Sequence, residues 1–243
     1  MTRMRINRFI GKTGAISRRK ADELIANGRV KINGRTAVHG DTVDPMSDEI
    51  TLDNTRVAAQ KTLYLALYKP RLVLTTMADP QGRPCIKDMI QKKYQGVFPV
   101  GRLDFDAEGL LLLTNNGDLA HAIHHPSYQV PKVYMVRVIP RADQLAIEHI
   151  ERGINLDGKK TLPAKVEEIH HTSAGSTLRI TLVQGIKNQI KRMADVVGLR
   201  VVSIKRIRVG PVSLKGMFPG QIRELRTSEV TNLHKILKKH KKP

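Results

Sequence analysis

The sequence predicts an α+β protein: a small helical and hairpin module at the N-terminus, followed by a mixed, largely antiparallel domain. Three observations predict it. Helix-period and strand-period segments follow one another without the regular alternation of a doubly wound parallel sheet. A hydrophobic fraction of 40% over 243 residues is enough for a packed core and one or two domains. The charge is polarised at the front: residues 1–35 hold ten Lys/Arg and two acids, whereas residues 36–56 hold one Arg and five acids.

Residues 5–14 suit a short helix, with Ile6, Phe9 and Ile10 on one face and a break near Gly14. Ser17 is placed to cap a second helix that carries Ala21, Leu24 and Ile25 inward and ends at Gly28. Val30 and Ile32 then alternate into an Asn33-Gly34 hairpin signal. A stretch over 54–62 lacks a core pattern and reads as the linker, which sets domains at 1–58 and 62–230, with a basic, mobile tail over 231–243. In the second domain Leu63, Leu65 and Leu67 alternate with Tyr64, Ala66 and Tyr68 in a strand ended by Pro70. Further strands are expected at Leu110–Thr114, Val133–Val138, Leu178–Val183 and Val201–Ile207. Helices are expected at Arg141–Arg152, with Leu145 and Ile150 inward, and at Asn188–Val197, striped by Ile190, Met193, Ala194 and Val197.

The formal charge of +20 calls for an anionic partner. Besides the N-terminal cluster, residues Gly185–Gly210 carry seven Lys/Arg against Asp195 alone, and the C-terminus ends in a lysine-rich run. Phosphate backbones account for all three clusters. No Trp-bearing amphipathic face or long apolar span favours a membrane, and no apolar block of signal-peptide length stands at the front, so the expectation is cytoplasmic. The single cysteine, Cys85, excludes an internal disulfide framework or a multi-cysteine metal site, and reads as a buried thiol. The histidines at 121, 124, 125, 170 and 171 lack partners at metal-binding spacing, so no metal is expected. No phosphate-cradling glycine loop and no nucleophile elbow is present.

What remains is the string Phe98-Pro-Val-Gly-Arg-Leu-Asp-Phe-Asp-Ala-Glu-Gly-Leu-Leu-Leu-Leu-Thr-Asn-Asn-Gly117, a polar loop running into a leucine strand that Asn116-Gly117 turns back. From spacing alone Asp104, Asp106 and Glu108 read as turn or capping carboxylates.

The N-terminal residues Arg5-Ile-Asn-Arg-Phe-Ile10, Ser17-Arg-Arg-Lys-Ala21 and Gly28-Arg-Val-Lys-Ile-Asn-Gly34 resemble the alpha-L RNA-binding domain, shared with ribosomal protein S-four. The loop string resembles the active-site motif of RNA pseudouridine synthases, in the branch that joins the small-subunit ribosomal RNA enzyme to its large-subunit relatives. Two further motifs of that family follow in order, Pro131-Lys-Val-Tyr-Met-Val-Arg137 and Leu182-Val-Gln-Gly-Ile-Lys-Asn-Gln-Ile-Lys-Arg-Met193. The resemblance covers residues 3–230. Departures are Ala107 for Ser or Thr, Asn116 for Asp, Gln184, Ile186 and Lys187 within the commoner Glu-Gly-Arg-Asn string, and Lys191 for Arg.

The resemblance implies a pseudouridine synthase whose essential carboxylate is Asp104, with Tyr134 and Lys191 as catalytic partners and Lys191 facing the aspartate. Tyr134 would stack on the uracil, though it reads equally as a core aromatic. Arg102 would enter the gap left by the extruded base, or clamp a phosphate. RNA contacts are expected from Arg5, Arg8, Ser17, Arg18, Arg19, Lys20, Arg29, Lys31, Asn33, Arg102, Asn188, Gln189 and Arg192. Because the isomerisation neither gains nor loses atoms, no cofactor is expected. Ribosomal RNA is the implied partner of a chain expected to be a monomer, with the large-subunit 23S species nearer on Phe98–Gly101 and Arg179–Met193. Small-subunit 16S RNA, transfer RNA and a non-catalytic ribosome-associated RNA-binding factor stand as alternatives.

Overall fold

The computed structural model describes residues 3–13, 16–58 and 60–239. The polypeptide forms two compact units: one takes the chain up to Leu63 with residues 91–98 and 114–116, and the other takes the remainder.

In the first unit, α1 (Ile6–Gly11) is shorter than expected, and the anticipated break at Gly14 lies outside the described residues. Ser17 caps α2 (Arg18–Ala26) by accepting a 3.2 Å bond from the Lys20 amide, and Gly28 at φ 67° ends it. The hairpin of β1 (Val30–Ile32) and β2 (Arg35–Thr36) turns through Asn33 and Gly34 at φ 50° and 82°, as a primed turn requires. β3 (Ile50–Leu52) pairs with β1, and β4 (Thr55–Arg56) pairs with β3. That last strand occupies the start of the stretch read as linker. Its turn residues, Asp53 and Asn54, both adopt left-handed backbone, a signal the polar composition of the stretch concealed. Ile6, Phe9, Ile10, Ala21, Leu24, Ile25, Val30 and Ile50 form the core.

The second unit is built on β5 (Tyr64–Lys69), β6 (Phe98–Val100), β7 (Glu108–Thr114), β8 (Lys132–Ile139), β9 (Lys165–His171), β10 (Ser176–Leu182), β11 (Arg200–Val209), β12 (Val212–Ser213) and β13 (Ile222–Glu224). They make one nine-stranded sheet in the order β9-β10-β8-β11-β7-β5-β13, with β12 on β11 and β6 on β7. The pairings β9–β10, β10–β8, β8–β11, β11–β12 and β13–β5 are antiparallel, and β11–β7 is parallel. The α+β expectation holds. β5 differs from a half-exposed strand, since Leu65, Ala66, Leu67, Tyr68 and Lys69 are all buried in the interior of the sheet.

Three helical expectations need correction. Asn116-Gly117 does not turn the leucine strand back but opens α3 (Gly117–His124), whose Leu119 and Ile123 join the core. Asp143 caps α4 (Gln144–Arg152), and with the helix starting there the inward stripe is Ala146 and Ile150, while Leu145 is 72% exposed. The tail read as mobile forms α6 (Thr227–Lys239), with Leu233 buried in the sheet domain's core. Only residues 240–243 of that tail fall outside the described residues. α5 (Gln189–Val196) buries Ile190, Met193 and Ala194 as expected.

Candidate active site

The site grows from the junction of β7 and β11. Gly109 stands opposite Arg206 in their parallel pairing, with φ at 113°. A side chain there would put Cβ 2.3 Å from the Arg206 carbonyl oxygen, so only glycine allows the two strands to meet. The loop 101–107 enters this junction from β6 and is held from several sides. Thr75 Oγ1 donates to the Leu103 carbonyl at 2.7 Å, the Leu72 amide donates to the Phe105 carbonyl at 2.7 Å, and Arg71 Nε donates to the Asp106 carbonyl at 3.1 Å. Arg206, only 3% exposed, donates Nε to the Leu110 carbonyl at 2.7 Å and Nη1 to the Arg102 carbonyl at 3.3 Å, clasping both ends of the loop.

Asp104 sits half-buried at the wall of a cavity of about 570 Å³. With its amide nitrogen turned to the carboxylate, Asn188 donates to the two oxygens at 3.0 and 3.2 Å. Asn188 is the N-cap of α5, in left-handed backbone at φ 53°, so the positive end of that helix lies on the carboxylate's side. Tyr134 on β8, beside Ile180 and Arg206 in register, lines the same cavity.

Lys191 does not face Asp104. Its ammonium bonds both Asp106 oxygens at 2.7 Å, and that bond holds the Asp106 carboxyl below the usual range against the opposing effect of burial. The two aspartates are two residues apart on a tight turn, and spacing could not decide which of them α5 would meet. The cation that feels the Asp104 charge is Lys69, which the sequence reading passed over as a strand end. Burial pushes its ammonium down to about 8, opposed by the charges of Asp106 and Asp104, while Nζ donates to the Pro70 carbonyl at 2.8 Å.

Two more basic groups bound the cavity unannounced. Lys132 is buried and its ammonium is pushed down to about 8 by burial, with the charge of Arg206 adding to it. His124 is lowered by burial first and then by Lys132. Arg206 Nη2 and Gln184 Nε2 are buried donors without a hydrogen-bond partner among the described residues, which leaves them available to acceptor atoms of a ligand. Each had a sequence signal, since Lys132 is two residues from Tyr134 and Arg206 lies in the second basic cluster, Gly185–Gly210, but burial alone separates them from solvated neighbours. No group of three or more His, Cys, Asp or Glu among the described residues could hold a metal. The arrangement presents an ionised carboxylate, an aromatic wall and unspent donors in one concave site, the combination suited to a planar heterocycle with carbonyl oxygens.

The remaining expected RNA contacts separate by environment. Asn188 serves the carboxylate, Gln189 is buried with its amide bonded to the Ile186 nitrogen and Met193 Sδ, and Arg192 pairs with Asp157 at 2.7 Å. Arg102 is exposed at the cavity mouth. In the first unit Ser17, Arg18 and Arg19 are exposed at the start of α2, and Lys20 pairs with Glu23. Arg29 is bound to Asp53, Lys31 to Asn54, Asn33 to Asp48, and Arg5 to the Gly40 carbonyl. Arg8 is half-buried in α1.

Residues 63–195 match the RNA pseudouridylate synthase family, and residues 4–50 match the S4 domain. The chain is 39% identical over 239 residues to an uncharacterized RNA pseudouridine synthase of Aquifex aeolicus, covering 98% of this chain and 96% of that protein. It is 35% identical over 234 residues to the ribosomal large subunit pseudouridine synthase B of Bacillus subtilis, covering 96% of each. A crystal structure of a pseudouridylate synthase superimposes with a TM-score of 0.69 at 29% identity, over 95% of this chain and 99% of that one.

Proposed function

The chain belongs to the RNA pseudouridylate synthase family, with an S4 domain ahead of its synthase domain, and on that premise we propose that the cavity around Asp104 converts one uridine of 23S large-subunit ribosomal RNA to pseudouridine. The reaction is an isomerisation. The bond from uracil N1 to ribose C1′ breaks, the base turns in place, and a bond from C5 to C1′ forms. The C5 hydrogen leaves as a proton and N1 gains one, so atoms and electrons balance without an added reactant.

The observation that carries this reading is the convergence of Asp104, Tyr134 and the unpartnered donors of Arg206 and Gln184 on one cavity. Asp104 acts as the anion, its two oxygens held by the Asn188 amide. Tyr134 offers its ring to the uracil face and its hydroxyl to the C5 proton. Gln184 and Arg206 meet the base carbonyls. Lys191 acts through Asp106 and is a positioning residue for the loop. Arg102 takes the place of the extruded base. The cations of the S4 domain, Arg18 and Arg19 foremost, hold phosphates.

The large-subunit target is supported by the similarity to the ribosomal large subunit pseudouridine synthase B of Bacillus subtilis. A cytoplasmic monomer is proposed, since ribosomal RNA is found there and the site is complete within one chain; among the described residues no helix is long and apolar enough to cross a membrane.

The test is a carbodiimide and primer-extension map of pseudouridines in cells lacking the gene, complemented with wild type or with Asp104→Asn. Loss of one 23S site, restored by wild type alone, supports the whole reading. Loss of a 16S or transfer-RNA site instead overturns the target, restoration by Asp104→Asn overturns the role of that carboxylate, and no change at any site returns the chain to the non-catalytic binding factor.

A further inference from the structure

The half of the sheet formed by β9, β10, β8 and β11 has two unlike faces. On one, Val166, Leu178, Ile180, Leu182, Val136, Val138 and Ile204 are buried, and α4 and α5 contact β9 and β11. Pleating sends the alternate residues to the other face. There the cross-strand neighbours are Val133 with Thr181 and Arg208, Met135 with Arg179 and Lys205, and Arg137 with Thr177 and Ser203. All of these are half-buried or exposed, so among the described residues no layer of this unit covers that face. An open antiparallel sheet face is ordinary, but its solvent side is expected to mix charges of both signs.

This one does not. Arg137, Arg179, Lys205, Arg208 and Lys215 gather on or at the rim of the face, the last four lining a groove of about 590 Å³. Lys165, opposite Thr181, adds a sixth cation. Against them stand Glu167, bound by Lys165 and Arg179, and Glu108, 3.8 Å from Lys205. The exposed Arg137, Arg208 and Lys215 have no acidic partner among the described residues within ion-pair distance. The basic run of β11 is divided by the pleat and by a bulge at Ile207, where the register shifts between Val133 and Tyr134: Arg206 turns inward to the active site, while Lys205 and Arg208 turn to the far side of the sheet.

We propose that this open face is a second RNA-binding surface, which takes the phosphate backbone of an RNA duplex, separate from the cavity that takes the uridine. Arg179 and Lys205 flank Met135 from either side, two strand spacings or about 10 Å apart, so the cations spread over more area than a single small anion covers, as contact with several phosphates requires. Bases are not its ligand. Tyr68 is the one aromatic at the groove, and Lys205 Nζ lies 5.0 Å over its ring, so the stacking platforms that single-stranded RNA uses are missing from the described residues of the groove. Threonines between the cations supply further donors to phosphate oxygens.

The experiment uses the full chain and a fluorescein-labelled 20-base-pair RNA duplex without any substrate sequence, so its outcome does not depend on which ribosomal RNA is modified. Affinity is measured by anisotropy across a salt series for wild type, for the triple variant Arg137→Gln, Arg208→Gln, Lys215→Gln, and for a control, Lys159→Gln with Lys160→Gln, which removes charge from an exposed hairpin elsewhere. The triple variant should bind the duplex at least about tenfold more weakly near 0.1 M salt and lower the slope of log affinity against log salt by roughly 2 to 3, with the control changing the slope by less than about 1. A melting curve shared with wild type certifies folding. An unchanged slope in the triple variant, or an equal change in the control, overturns the proposal. So does an equal loss on a single-stranded 20-mer, which would make the face a general polyanion surface.

Discussion

Replacing Gly109 with alanine tests whether the β7–β11 junction builds the active-site loop. The added Cβ would lie 2.3 Å from the Arg206 carbonyl oxygen and 2.7 Å from its nitrogen, both backbone atoms that cannot rotate away. At φ 113° an alanine is also strained, by about 1–3 kcal/mol. Relief requires β7 and β11 to part where only Lys205 with Glu108 and Arg206 with Gly109 are in register, which adds roughly 1 kcal/mol for each ladder bond lost. The total is about 3 kcal/mol. That should lower the melting temperature of the unit by roughly 6–12 °C. Because Arg206 clasps the carbonyls of Arg102 and Leu110, parting the strands also displaces the loop that carries Asp104. A shift near 1 Å costs on the order of 100-fold in turnover. Melting is followed by calorimetry and turnover by tritium release from ribosomal RNA labelled at uridine C5. Gly117→Ala is the control, since nothing lies within 4 Å of its Cβ and its backbone is not left-handed. A Gly109→Ala protein that melts within about 2 °C of wild type and turns over within about threefold would refute the reasoning.

Three further outcomes follow from the site. Asn188→Ala removes two donors from the Asp104 carboxylate, so turnover measured by tritium release should fall by roughly tenfold or more, given about 1.5–3 kcal/mol for hydrogen bonds to a charged group; turnover within about twofold of wild type would separate Asn188 from the carboxylate. Lys191→Met should lower turnover by less than Asp104→Asn does, because Lys191 is spent on Asp106; equal losses measured by tritium release would restore it to Asp104. Lys69 and Lys132 have folded values near 8, below their ordinary 10.5. The unfolded chain therefore binds more protons between pH 8 and 10.5, and stability from these two groups rises with pH across that window. Lys69→Met should flatten that rise in urea melts taken at pH 7.5 and pH 10, and an identical pH dependence in wild type and variant would contradict the burial of the charge.

Local order was legible because its causes are local. Ser17 ahead of Arg18–Ala26, Asn33-Gly34 between β1 and β2, and the alternation in β10 each follow from bonds or periods within a few residues. The three motifs of the synthase domain were legible by their order along the chain, and Asp104 and Tyr134 do meet at one cavity. Failures lie where a local pattern was outweighed from outside it. Leu145 was placed inward by hydrophobicity, but the Asp143 cap set the phase of α4 and turned it to solvent. The C-terminal lysines suggested a mobile tail, yet Leu233 beneath them is buried against the sheet domain's core and forms a helix there.

The sequence by itself determined the reaction family, the carboxylate-bearing loop and the need for RNA, because charge composition and motif order survive any uncertainty about packing. Only the tertiary structure decided which charges work together. Lys191 and Asp106 are 85 residues apart along the chain, and no linear pattern says that α5 offers its lysine to that carboxylate and its asparagine to Asp104. Burial, too, is a property of the assembled sheet. It turns Lys132 and Arg206 from members of a basic surface into the dry walls of a site and buries Lys69 beside it, and the pleat with the bulge at Ile207 that hides Arg206 exposes Lys205 and Arg208 on the opposite face.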